Sequence, residues 1–110
     1  MAAPLAEPRV KVPERARIGE PFTIKTLLRH PMDSGHRIGE DDRLIPRLII
    51  NRFIATFENE FVFSAIIEPS IAANPYFEFT VRLERSGRFR FLWIEDGGAS
   101  IAVERSIIVA

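Results

Sequence analysis

Residues 77–83 read Phe-Glu-Phe-Thr-Val-Arg-Leu and residues 88–94 read Arg-Phe-Arg-Phe-Leu-Trp-Ile, and these two runs decide the fold class. Phe77, Phe79, Val81 and Leu83 alternate with Glu78, Thr80 and Arg82. Phe89, Phe91 and Trp93 alternate with Arg88, Arg90 and Leu92. A period of two is the mark of a strand with two different faces. Ser86-Gly87 reads as the turn between the runs. Asp96-Gly97-Gly98 reads as a hairpin turn of the primed type, in which Asp and Gly supply positive φ. Ile101, Val103, Ile107 and Val109 then form a closing strand.

The same period extends upstream. Phe22, Ile24, Thr26 and Leu28 share one face of a run ending at Arg29, with Thr23, Lys25 and Leu27 on the other. A strand over 48–57 places Phe53, Ala55 and Phe57 in phase. Glu58-Asn59-Glu60 is a tight turn, and 61–67 returns with Phe61, Phe63, Ala65 and Ile67 in phase. Pro13 and residues 17–21 read as turns, with a short edge strand over Arg9 to Val12. Two loops stand out: a polar stretch over 30–46, and a second from Glu68 to Pro75 punctuated by Pro69 and Asn74-Pro75. Long loops in compact domains are often functional. The sequence therefore predicts a tail over 1–8 and one all-β domain over 9–110. That domain is an immunoglobulin-like β-sandwich of about seven antiparallel strands, with turns every 8–12 residues. Its expected core is Phe22, Ile24, Leu28, Phe53, Phe63, Phe79, Phe91 and Trp93.

Composition excludes several functions. The chain has 110 residues, one domain's worth, and 46% of them are hydrophobic. No apolar run approaches the ~20 residues of a spanning helix. Fifteen basic and fifteen acidic residues cancel, so nothing favours a nucleic-acid backbone. Cysteine is absent, which removes disulfides, thiol catalysis and zinc-thiolate sites. The first residues, MAAPLAEPRV, lack the basic start and apolar stretch of a signal peptide.

No catalytic constellation is legible. The two histidines, His30 and His36, lie on the polar loop without a G-x-S-x-G elbow. With Asp33, Glu40, Asp41 and Asp42 they supply nitrogen and oxygen ligands, so a metal-binding or enzymatic sandwich using the His30 to His36 loop is the alternative reading. A zinc site, however, takes three or four protein ligands held on rigid elements. Glu95-Asp96 precedes a turn, where Asp is favoured for backbone reasons. The expectation is no enzyme, no metal and no cofactor.

The informative anomaly is apolar residues in the wrong phase: Leu27, Ile50, Ile54, Val62, Ile66, Leu92, Ile94 and Ile108. A sandwich with both outer faces in water should be polar at most of these positions. They predict a partner on one sheet face or edge, with Ile50, Ile54, Leu92 and Ile94 in the interface, and self-association when the partner is missing. His30, Met32 and Arg37, on the polar loop, are expected to contribute to partner contact or to the steering of a partner's arm, and not to metal ligation.

Four blocks in order resemble the SoxZ family. Residues 19–37 read GEPFTIKTLLRHPMDSGHR, and residues 45–53 read IPRLIINRF. Residues 71–79 read IAANPYFEF, and the closing hairpin runs from Gly87 through Trp93 to Gly98. The resemblance covers about Ile18 to Ala110. It implies an immunoglobulin-like fold and a heterodimer with a SoxY subunit. A cysteine on that subunit's C-terminal arm carries the sulfur intermediates of thiosulfate oxidation, and other Sox enzymes are met through the complex. It further implies a non-catalytic chain in the periplasm, exported with its signal-bearing partner. This chain departs from the pattern at Glu58-Asn59-Glu60, where relatives often have Asn-Gly. It also departs at Asp41 to Leu44, where they often carry a glycine.

Overall fold

The computed structural model describes residues 5–67 and 73–110. Residues 1–4 of the expected tail, and 68–72 of the second loop and its 71–79 block, lie outside the described residues. Eight strands form two sheets: β1 (Arg9–Lys11), β2 (Arg15–Ala16), β3 (Phe22–Leu27), β4 (Ile50–Phe57), β5 (Glu60–Ile66), β6 (Tyr76–Val81), β7 (Gly87–Glu95) and β8 (Ser100–Val109). One sheet has the order β1-β3-β6, the other β2-β8-β7-β4-β5. The protein is an all-β, immunoglobulin-like sandwich, and no helix occurs among the described residues.

The N-terminal run serves both sheets. β1 pairs antiparallel with β3, and β2 pairs parallel with β8. Pro13 lies between them; proline has no N–H to give a ladder and suits the point where a strand leaves one sheet for the other. The eight strands fit the expected count of about seven, but the β2–β8 pairing is parallel where all were expected to be antiparallel.

The core sits where the inward phases of the two sheets meet. Phe53 on β4 stacks on Phe77 of β6, with ring centroids 4.7 Å apart. It also meets Trp93 at 5.0 Å. Phe63 stacks on Phe79 across the same gap at 4.8 Å. Ile24, Leu28, Phe53, Phe91 and Trp93 are buried as expected, while Phe22, Phe63 and Phe79 are partly buried against them. Ile49, Phe57, Phe89 and Ile107 complete the interior.

Two irregularities redirect side chains. The β4–β7 register shifts between Ile50 and Arg52, leaving Asn51 as an extra residue and turning Ile50 inward, where it is fully buried. Ile50 is therefore core, contrary to its expected place in an interface. The β4–β5 register shifts between Ala55 and Thr56. This puts Phe61 opposite Thr56 on the outer face, 69% exposed, and packs Val62 against the core. One extra residue reverses a strand's faces. That is why Phe61 and Val62 exchange the roles their alternation predicts.

The turns differ in kind. Glu58 and Asn59 both have positive φ, 49° and 67°, the geometry of a two-residue type I′ hairpin. At the β7–β8 turn Asp96 is not among the positive-φ residues; Gly97 and Gly98 are. Gly98 N–H donates to the Glu95 carbonyl at 2.9 Å. Positive φ at the third position matches a type II turn, not the primed turn expected. The polar stretch over 30–46 is also structured. Asp33 bridges Leu48 and Ile38 bridges Leu44, so its tip is a small hairpin carrying exposed Ile38 and Leu44.

Candidate interaction surface

One end of the sandwich gathers most of the polar chemistry. β3 points Ile24, Thr26 and Leu28 inward, and the alternation carries His30 inward with them, 5% exposed. On β7 the inward set Phe89, Phe91 and Trp93 continues to Glu95, 4% exposed. The two meet: His30 Nε2 lies 2.7 Å from Glu95 Oε2. Met32 N–H donates to His30 Nδ1 at 2.9 Å. A nitrogen that accepts carries no proton, so the neutral ring holds its proton on Nε2 and donates to the carboxylate. The His30 backbone is tied as well. Asn74 Oδ1 accepts from His30 N–H at 2.9 Å, and Asn74 N–H donates to the His30 carbonyl at 2.8 Å. Met32 takes φ 54°, and its sulfur accepts from Ile50 N–H at 3.3 Å.

Asp96 forms the neighbouring latch. Its carboxylate accepts from Arg47 Nε at 2.9 Å and Nη2 at 3.1 Å. It also accepts from Asn51 Nδ2 at 3.0 Å and from Ile49 N–H at 3.2 Å. These bonds hold the β7–β8 turn against the start of β4. The hydrogen bonds from Arg47, then those from Asn51 and Ile49, hold the Asp96 carboxyl below its usual range, against partial desolvation. Arg47 is raised in turn, chiefly by its bond to Asp96.

The expected interface residues therefore separate. His30 and Met32 are buried and bonded within the chain, as Ile50 is, so none of the three is presented to a partner. Arg37 remains at the surface, its guanidinium 2.6 Å from Asp33. Ile54, Leu92 and Ile94 do lie together on the outer face of the five-stranded sheet. Ile54 is paired with Leu92, and Leu92 with Ala102. On the same face, one same-face row along, Ile66 pairs with Arg52 and Arg52 with Ile94. Ile66 is 80% exposed. Towards the other end this face turns polar, with Thr56, Arg90 and Glu104 in one row.

No catalytic pairing emerges from the histidines. Both ring nitrogens of His30 are engaged, and the ring is closed off from solvent, so it has no free lone pair for a substrate proton or a metal. His36 is exposed, and its backbone N–H bonds Ser34 Oγ. Among the described residues no group of three or more His, Asp or Glu side chains is placed to hold a metal ion. Sequence reasoning missed the His30–Glu95 pair, which joins residues 65 apart. The signal was present, since an acid and a histidine both fall on inward phases and a buried carboxylate needs a donor.

A family model described as sulphur oxidation protein SoxZ matches residues 10–105. The chain belongs to the SoxZ family. It is therefore a sulfur-oxidation subunit. The SoxZ-like blocks meet at the end just described: His30 and Met32 from the first, Ile49, Ile50 and Asn51 from the second, Asn74 from the third, and the Asp96 turn from the fourth. No match was found among curated proteins. Among solved structures the chain is similar to a superoxide reductase (neelaredoxin) from Ignicoccus hospitalis. Identity is 18% and TM-score 0.72, over 96% of this chain and 82% of that one. A variant of that reductase is similar at 18% identity and TM-score 0.73, over 98% and 83%. At such identity the likeness is one of fold alone.

Proposed function

We propose that this SoxZ-family chain is the non-catalytic half of a sulfur-carrier heterodimer. In this reading the outer face of its five-stranded sheet packs against a SoxY-like subunit, whose C-terminal cysteine carries the sulfur intermediates of thiosulfate oxidation. Family membership supports the sulfur-oxidation setting. The observation that carries the pairing is the cluster of half-buried Ile54, Leu92 and Ile94 with exposed Ile66, set around Arg52 on a face that a solitary sandwich would keep polar. A permanent interface buries about 2,000 Å² or more and is apolar, and a sheet face offers such an area where a loop does not. The chain has no cysteine to carry sulfur, and its one buried histidine is spent on Glu95. Both fit a supporting role in which the chemistry belongs to the partner and to the enzymes that visit the complex. The same reading places the complex in the periplasm, exported through the partner's signal.

The test is titration calorimetry of the chain against the SoxY-like subunit. A 1:1 complex is expected, and Ile54→Asp or Ile94→Asp should abolish it with the fold intact, because burying an unpaired charge is costly whereas exposing one is not. Unaltered affinity in both variants, or a chain that ignores the subunit at micromolar concentration, would overturn the assignment of this face.

A further inference from the structure

The chain has only two lysines, Lys11 and Lys25, and the register sets them directly opposite each other on β1 and β3. They point out from the three-stranded sheet, both exposed. One same-face row along, Arg9 stands opposite Leu27, and Leu27 stands opposite Tyr76 on β6. Leu27 is half-buried and Tyr76 is 52% exposed. A groove of about 320 Å³ runs between Arg9, Lys11, Lys25, Leu27 and Tyr76.

Like charges directly opposed in a sheet repel each other. The net charge of the chain is zero, so these cations are a local concentration and not the overflow of a basic protein. Protection of an open sheet edge accounts for Arg9 and Lys11, since edge strands carry cations to discourage stray pairing. It does not account for Lys25, which lies on the central strand. Glu78, across from Lys25, is the one acid on the outward positions of these strands, and its carboxylate accepts from the Tyr76 hydroxyl at 3.4 Å. Neither lysine is in an ion pair among the described residues.

We propose that this face docks an acidic segment of a partner protein. One apolar side chain of the segment sits over Leu27 and Tyr76, and its flanking carboxylates reach Arg9, Lys11 and Lys25. The face belongs to the sheet opposite the one assigned to the carrier partner, so both proteins can be held at once. The inference stands on charge and register and does not depend on that assignment.

The experiment titrates the ¹⁵N-labelled full chain with a blocked Glu-Asp-Phe-Asp-Glu peptide. Saturable amide shifts are expected on β1, β3 and the start of β6. Affinity should fall about tenfold or more in Lys25→Glu. A peptide with glycine in place of phenylalanine should also bind more weakly. Carbodiimide coupling of the first peptide should form adducts at Lys11 and Lys25. Lys25→Glu exchanges repulsion from Lys11 on one side for repulsion from Glu78 on the other, so its melting temperature should stay close to that of the wild type; lost binding is then not lost folding. Lys25→Gln is the neutral control and should bind with intermediate affinity. The proposal is overturned if millimolar peptide leaves this face unshifted, or if adducts form only at the N-terminal amine. It is equally overturned if the glycine peptide binds as well as the first. Inorganic sulfate or heparin producing the same shifts with equal or tighter binding would make the face a general anion patch and also overturn it.

Discussion

His30 and Glu95 show how a single residue's role depends on what it meets. A histidine on a polar loop and an acid before a turn read as surface groups. Together they are a buried pair closed by a 2.7 Å hydrogen bond. Removing one partner strands the other in the core: His30→Leu leaves a buried carboxylate unpaired and should cost about 3–5 kcal/mol in urea unfolding, and Glu95→Leu leaves a neutral N–H donor unpaired and should cost about 1–3 kcal/mol. The double variant should recover much of that, and a strictly additive double variant would contradict the pairing. Asp96 gives a pH-dependent counterpart. Its folded pKa lies below the unfolded value of about 3.9. Its contribution is thus complete above that value and disappears as pH falls through the lowered folded pKa. The stability gap between wild type and Asp96→Asn should be open at neutral pH and narrow steadily below about pH 4. A gap unchanged down to pH 2 would detach Asp96 from the latch. The opposite-phase residues Leu27, Ile54, Leu92 and Ile94 were legible one by one as anomalies. Which of them share a surface was not, because that depends on which strand each one lies beside.

At the scale of the element, strand identity was legible and strand face was not always so. Phe61 and Phe91 occupy equivalent places in their alternating runs, yet the β5 bulge leaves one in water and the other at 0% exposure. Phe91→Ala should cost about 3–5 kcal/mol, whereas Phe61→Ser should stay within about 0.5 kcal/mol. Equal losses in chemical denaturation would remove the bulge from the account. Gly87 reads as a turn residue, but it opens β7 and is small for another reason. A Cβ there would lie 2.5 Å from the Phe57 ring and 2.5 Å from Glu58 Oε1. Gly87→Ala should therefore destabilise by about 1–3 kcal/mol through overpacking; a neutral substitution would show that the β4–β5 turn can move aside. Bulges and close approaches of this kind leave no period in a sequence, because each is one residue inserted or omitted to suit a neighbour far along the chain.

The whole molecule presents two faces of different character: an apolar field outside the five-stranded sheet, and a cationic row outside the three-stranded one. With zero net charge, little long-range repulsion keeps copies of the first face apart. The chain alone should form dimers or larger species in light scattering at neutral pH. Ile54→Asp should return it to a monomer, and a monomeric wild type would mean that the field is too small to pair. The alternation of Phe77 to Trp93, the turn residues between the strands and the SoxZ-like blocks determined the fold class, the family and much of the interior from sequence alone. They could do so because period, turn chemistry and motif spacing are local properties that survive in one dimension. Only the tertiary structure decided that His30, Met32 and Ile50 belong inside, that Ile54, Leu92 and Ile94 share a surface, and that both lysines face each other. Each of those facts is a register between strands distant in sequence, set by side-chain packing across the sandwich and shifted by single-residue bulges that no local pattern records.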